Sequence, residues 1–140
     1  MRKAPLLAIF AAASIATGAS LFHPRFGHAA ASIDWSNARR VEVRMVEYEI
    51  VPGEFRFRRG LPYRLHLVNA GKEGHDFTAP DFFAAVEVHN AGALNENGSS
   101  VFLQPGQETD IYFIARSPGL FTPRCADHDW AGMTATIVID

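Results

Sequence analysis

The sequence predicts an all-β domain, a sandwich of two antiparallel sheets with one short helix. Three observations carry that expectation. About seven short runs dense in β-branched and aromatic residues are spread over residues 41–140. Turn residues stand between most of them, including Pro52-Gly53, Arg59-Gly60-Leu61-Pro62, Pro105-Gly106 and Pro118-Gly119. Two of the runs, residues 54–58 and 63–68, alternate apolar and polar side chains at period two, the mark of a strand with one buried face.

The 140 residues suit one domain, and an apolar content of 48% is that of a globular chain. Residues 1–31 differ from the rest. Met1-Arg2-Lys3 is a basic start, residues 5–22 form an apolar run, and Ala29-Ala30-Ala31 offers small residues for cleavage. The expectation is an export signal peptide over residues 1–31, cut near Ala30 or Ala31, leaving a domain at residues 32–140 in the bacterial periplasm. A retained membrane anchor is the alternative, because the run reaches the roughly 18 residues at which a spanning helix becomes feasible. Thr17, Gly18 and Ser20 interrupt that run.

Without residues 1–31 the chain loses Arg2, Lys3 and Arg25 and no acid, which leaves 10 basic against 15 acidic side chains and a formal charge of −5. No basic patch argues for nucleic acid, and an acidic exported domain is expected to meet small ions or a basic protein. The single cysteine cannot form an internal disulfide. In an oxidising compartment a lone thiol needs protection, and a bound metal is one source of it.

Taken in order, residues 41–51 predict the first strand, closed by Pro52-Gly53. Residues 54–58 and 63–68 predict two alternating strands standing side by side, the second with Tyr63, Leu65 and Leu67 on one face and Arg64 and His66 solvated on the other. Residues 69–74 form a loop that delivers His75-Asp76-Phe77-Thr78 at its end. Residues 79–86 suit a short helix with Asp81 as its N-cap. Residues 90–100, rich in Gly, Asn and Ser, predict an exposed connection. Residues 101–103, 108–115, 119–125 and 134–140 supply the remaining strands.

The chemistry lies near the carboxyl end, where Cys125 is followed three positions on by His128 and five further on by Met133. Taken singly, each has a plainer explanation: a small buried hydrophobe, a loop histidine, a thioether filling a gap. Together they form a soft donor set in a segment broken by Asp127, Asp129 and Gly132, hence a loop that can fold back on itself, with Gly132 giving the backbone freedom to turn. His75, at the end of an upstream loop, would complete a two-His, one-Cys trigonal set with a weak axial Met, the pattern of a blue copper centre. Zinc sites rarely use a thioether, so the set points to copper. Asp76 and Thr122-Pro123 would stand behind the ligands, where a backbone N–H to the thiolate tunes potential. His66, on the solvated face with Arg64, and His89, beside Asn90 in a polar connection with no spaced partner, are left out of the set.

The Cys-x-x-His-x-x-x-x-Met order, with the upstream stretch from Asn69 to His75-Asp76-Phe77, resembles the cupredoxin family, its plastocyanin and pseudoazurin type in particular, over residues 41–140. The blocks at residues 74–83 and 125–133 are similar to bacterial exported cupredoxin-like proteins. The resemblance implies a Greek-key β-sandwich holding one type 1 copper that cycles between Cu(I) and Cu(II), with His75, Cys125, His128 and Met133 as metal ligands. The expected function is single-electron transport between redox partners, a cytochrome or a copper oxidase being the kind of partner, by a monomer that is not an enzyme. Copper carriage or sequestration is the alternative. In one respect the sequence departs from the electron carriers: His128 is flanked by Asp127 and Asp129, with Trp130 the only large apolar neighbour, where a carrier has an apolar docking rim.

Overall fold

The structure, a computed structural model, describes residues 32–140, and the expected signal peptide at residues 1–31 lies outside them. The described chain opens with a 3-10 turn at Trp35–Asn37 and continues as β1 (Arg39–Val46), β2 (Glu49–Val51), β3 (Glu54–Phe57), β4 (Pro62–Asn69) and β5 (His75–Thr78). Helix α1 (Pro80–Ala84) follows, then β6 (Val86–Val88), β7 (Ser100–Leu103), β8 (Glu108–Ala115), β9 (Gly119–Phe121) and β10 (Thr136–Ile139). One sheet has the order β2-β1-β4-β8-β6, a second β3-β10-β9, and β5 and β7 form a separate pair. No helix among the described residues is long and apolar enough to cross a membrane.

Period-two patterning accounts for the packing of the two larger sheets. Val43 and Met45 of β1, Leu65 and Leu67 of β4 and Ile111 and Phe113 of β8 are buried from one side, Phe55 and Phe57 of β3 and Ile137 and Ile139 of β10 from the other. The Phe57 ring meets Tyr63 at 4.8 Å, Phe113 at 4.9 Å and Phe82 of α1 at 5.8 Å, an aromatic centre to which each ring contributes about 1.5–3 kcal/mol by burial. The Tyr63 hydroxyl accepts the Arg58 N–H at 2.9 Å, so its polar end is satisfied at the edge of the core.

The fold class is the expected one, and several details differ. β3 does not stand beside β4. It runs parallel to β10 in the other sheet, because Gly60 turns the chain with a left-handed φ of 76° and carries it across the sandwich. β1 and β4 are also parallel, so the sheets are mixed rather than purely antiparallel. The expected strand at residues 41–51 is two strands: Val43 and Met45 are buried at odd positions and Ile50 at an even one, and the phase changes at the Glu47-Tyr48 turn. Asp81 is not the N-cap of α1. Ala79 takes that position without a side-chain bond, and Pro80 opens the helix.

The parallel pairs set the polarity of the molecule. β1 and β4 finish, and β10 begins, at one end, where the β1–β2 turn, the β4–β5 loop and the segment before β10 meet. At the other end Arg39, Arg40, Arg56 and Arg58, with Tyr63 and Asp140, line a groove of about 480 Å³. The sequence shows no run of basic residues there; strand pairing gathers them.

Candidate metal centre

The β4–β5 loop is fixed before it delivers its histidine. Asn69, fully buried, accepts the Gly71 N–H at 3.0 Å and donates to the carbonyls of Glu73 at 2.7 Å and Leu103 at 2.8 Å. Glu47 reaches into the same loop and accepts the N–H groups of Lys72 at 2.5 Å and Glu73 at 2.8 Å. A Cβ at Gly71 would collide with that carboxylate, so the loop passes there only without a side chain. His75 follows as the first residue of β5, paired with Leu103 of β7, its ring fully buried.

Cys125 is held from both sides. Arg124 exchanges backbone hydrogen bonds with Thr78 at the end of β5, at 2.9 and 3.0 Å, and the Cys125 N–H donates to the Met133 carbonyl at 3.0 Å. Between these anchors the chain closes on itself, with His128 N–H donating to the Cys125 carbonyl at 3.1 Å and a 3-10 turn at Asp129–Ala131. Gly132 ends that turn with a left-handed φ of 77°, the freedom the sequence assigned to it. Met133 is fully buried.

The loop and the strand thereby bring three of the sequence-predicted residues together. Cys125 Sγ lies 3.3 Å from His128 Nδ1 and 3.8 Å from His75 Nδ1, and the three donor atoms are all within 4.8 Å of one another. Metal–donor bonds of roughly 2.0–2.3 Å in a trigonal arrangement put donors roughly 3.5–3.8 Å apart, so the donor set fits one ion. Met133 is placed by its backbone, whose carbonyl is bound by Cys125.

Each imidazole turns its other nitrogen to a carboxylate. His75 Nε2 lies 3.1 Å from Glu47 Oε1, and His128 Nε2 lies 3.0 Å from Glu73 Oε2. A proton held on Nε2 by these acceptors leaves the Nδ1 lone pair of each ring facing the thiol. The backbone N–H groups of Glu73 and Lys72, aided by the His75 ring, hold the Glu47 carboxyl down to about 2 against the opposing effect of its desolvation.

Asp76 stands behind the sulfur, as expected. Its N–H points at Cys125 Sγ from 3.5 Å, and its carboxylate lies 3.5 Å from the same atom while accepting the Ala126 N–H at 3.1 Å and the Thr78 hydroxyl. Burial pushes the Cys125 thiol up. Thr122 is exposed, and Pro123 uses its carbonyl to accept the Ala135 N–H.

The surroundings of His128 differ from the linear sequence. Its side chain is 13% exposed, covered by Tyr48, whose ring centre is 5.0 Å from the imidazole and 5.8 Å from Trp130. Trp130 is therefore not the only large apolar neighbour, and two exposed aromatic rings stand at this end. Neighbouring Asp129 is paired with Arg124. Glu47, Tyr48, Asn69 and Glu73 were missed from sequence because they lie 6 to 80 residues from the donor residues they serve; the phase change at Glu47-Tyr48 is the signal that marks two of them.

His66 and His89 stay outside the centre. His66 is buried rather than solvated, with Nδ1 2.8 Å from Asp110 Oδ1. His89 is stacked on Trp35 with ring centres 4.5 Å apart.

A β-sandwich with a His-Cys-His cluster at one end, formed by a strand start and the loop before the last strand, defines a class, and the fold is that of the cupredoxins. Auracyanin B is similar to it over 74% of this chain and 89% of its own, with a TM-score of 0.55 and 22% identity. The dithionite-reduced auracyanin of Roseiflexus castenholzii is similar over 74% and 98%, with a TM-score of 0.55 and 18% identity. A multicopper oxidase from Campylobacter jejuni matches 72% of this chain, which spans only 30% of the oxidase, with a TM-score of 0.54 and 13% identity. No family model matches the sequence, and no curated protein does.

Proposed function

We propose that the chain binds one copper ion at a type 1 (blue copper) site and carries single electrons between redox proteins of the bacterial periplasm, a cytochrome or a copper oxidase being the partner class. The observation that carries this reading is the convergence of His75 Nδ1, Cys125 Sγ and His128 Nδ1 within 4.8 Å. These three atoms would hold the ion, and Met133 would supply the weak axial thioether. Bound copper supplies a one-electron couple at a fixed position.

The chain's own residues supply the frame. Asn69 and Glu47 fix the loop that presents His75, and the hydrogen bonds between Cys125, His128 and Met133 fix the other ligands. A frame built in this way moves little when the electron does, which is what fast transfer requires. The exposed rings of Tyr48 and Trp130 beside His128 give this end an apolar contact that the sequence alone did not offer, and similarity to auracyanins agrees with the reading.

Copper-loaded, oxidised protein is expected to show an intense visible thiolate-to-copper band that Cys125→Ser removes. No band in the parent, or a band that survives the substitution, would overturn the proposal. A copper carrier would have to surrender its ion, and the full burial of His75 and Cys125 favours retention. Competition with a Cu(I) chelator separates the two roles, rapid loss indicating carriage. No catalytic step is assigned, since His66 and His89 are engaged with Asp110 and Trp35.

A further inference from the structure

Three carboxylates stand directly behind the three donor atoms. Glu47 is 3.1 Å from His75 Nε2, Glu73 is 3.0 Å from His128 Nε2, and Asp76 is 3.5 Å from Cys125 Sγ. Among the described residues no lysine or arginine forms an ion pair with any of them, and the nearby Arg124 is committed to Asp129. One carboxylate beside a ligand is a common orienting device, but one beside each of three, with no compensating cation, is a concentration of negative charge around a ligand set that already contains a thiolate.

We propose that Glu47, Glu73 and Asp76 act together as positioning residues that give the centre a low reduction potential, so that the chain serves as an electron donor to partners of higher potential. The proposal rests on the copper reading above and deepens it. Negative charge close to a redox centre stabilises its more positive state, here the oxidised one, and makes it harder to reduce. The same carboxylates fix both rings with the proton on Nε2, so charge and orientation come from one set of contacts. The geometry also divides the work: Glu47, from the β1–β2 turn, accepts two backbone N–H groups of the β4–β5 loop and braces it, whereas the Glu73 carboxylate is half exposed and meets only His128 and Tyr48.

The test uses the full mature protein loaded with copper, and compares the parent with Glu47→Gln, Glu73→Gln and Asp76→Asn by spectroelectrochemistry, with melting curves as a check on folding. Each neutral isostere is expected to shift the balance toward the reduced state by about tenfold, which for one electron is about 59 mV upward. Glu73→Gln keeps the test decisive should Glu47→Gln fail to fold, because the half-exposed Glu73 carboxylate accepts no backbone N–H of the β4–β5 loop, as Glu47 does.

A second readout needs no metal. In the metal-free parent, ¹⁵N shifts of the His75 and His128 rings are expected to show the proton on Nε2, and in Glu47→Ala the His75 ring is expected to lose that preference. Potentials unchanged or lowered in folded variants that keep the visible band would overturn the proposal, as would a proton on His75 Nδ1 in the metal-free parent. Absence of the band from the parent would instead overturn the copper reading itself, so the two failures are distinguishable.

Discussion

Two buried histidines each touch a carboxylate, and only one of them belongs to the candidate metal centre. His75 is 3.1 Å from Glu47, His66 is 2.8 Å from Asp110, and both pairs join different strands or turns. The difference is at the second ring nitrogen. His75 presents Nδ1 to Cys125 Sγ at 3.8 Å in a fully buried space, whereas His66 presents Nε2 to Glu108 at 3.7 Å, an acid whose side chain is 65% exposed. A histidine–carboxylate pair is thus a way of satisfying a buried ring, and becomes a ligand device only where a soft donor faces the free nitrogen.

The largest expected effect follows from that contrast. His75→Gln should abolish the visible copper band and weaken copper binding by more than the roughly 10- to 100-fold that loss of an outer partner costs. His66→Gln should leave both unchanged while lowering the melting temperature. Titration of the two metal-free variants with copper, followed by visible spectra, measures this. A band lost in His66→Gln would break the distinction.

An intermediate effect is expected at Asp110. Arg64 donates to its Oδ2 at 2.8 Å and His66 to its Oδ1, and the Arg64 hydrogen bond, then the His66 one, hold the carboxyl below its ordinary value of 3.8. The titratable groups in contact with it are these two, both from β4. A depressed folded value means that the ionised form stabilises the fold above the unfolded value, and that this contribution fades as pH falls from about 3.8 through the lower folded value. Asp110→Asn should therefore cost about 1 kcal/mol at neutral pH and flatten the acid limb of the stability profile. Urea melts at several pH values, with the visible band unaltered at neutral pH, would show it.

These two regions also show what the sequence could and could not reveal. The closeness of Cys125 and His128 was legible because they share a short loop, and soft donors restrict the metal such a cluster would take before any distance is known. His75 was legible through the resemblance and its place at a loop end. The supporting carboxylates were not, because Glu47 and Glu73 meet the ligands only through tertiary contact, from the β1–β2 turn and the β4–β5 loop. His66 was misjudged for a related reason. Alternation in β4 places it on the outward face, and only the pairing of β4 with β8 shows that Asp110 stands directly opposite and covers it. Likewise the alternating runs of β3 and β4 identify two strands, but alternation carries no information about which sheet a strand joins, and Gly60 sends them to different ones.

The smallest expected effect is at Glu108. Its carboxylate is beyond hydrogen-bonding distance of His66 Nε2 at 3.7 Å and is largely in water, so Coulomb attraction is screened and no bond is lost on neutralisation. Glu108→Gln should change stability by less than about 0.5 kcal/mol and leave any copper spectrum untouched. Stability in Glu108→Gln, measured beside Asp110→Asn in the same buffer, therefore tests whether His66 is held through one nitrogen or two. Were the two substitutions to cost the same, His66 would be gripped at both nitrogens by acids, and the separation from His75, one nitrogen to an acid and one to sulfur, would rest on the sulfur alone.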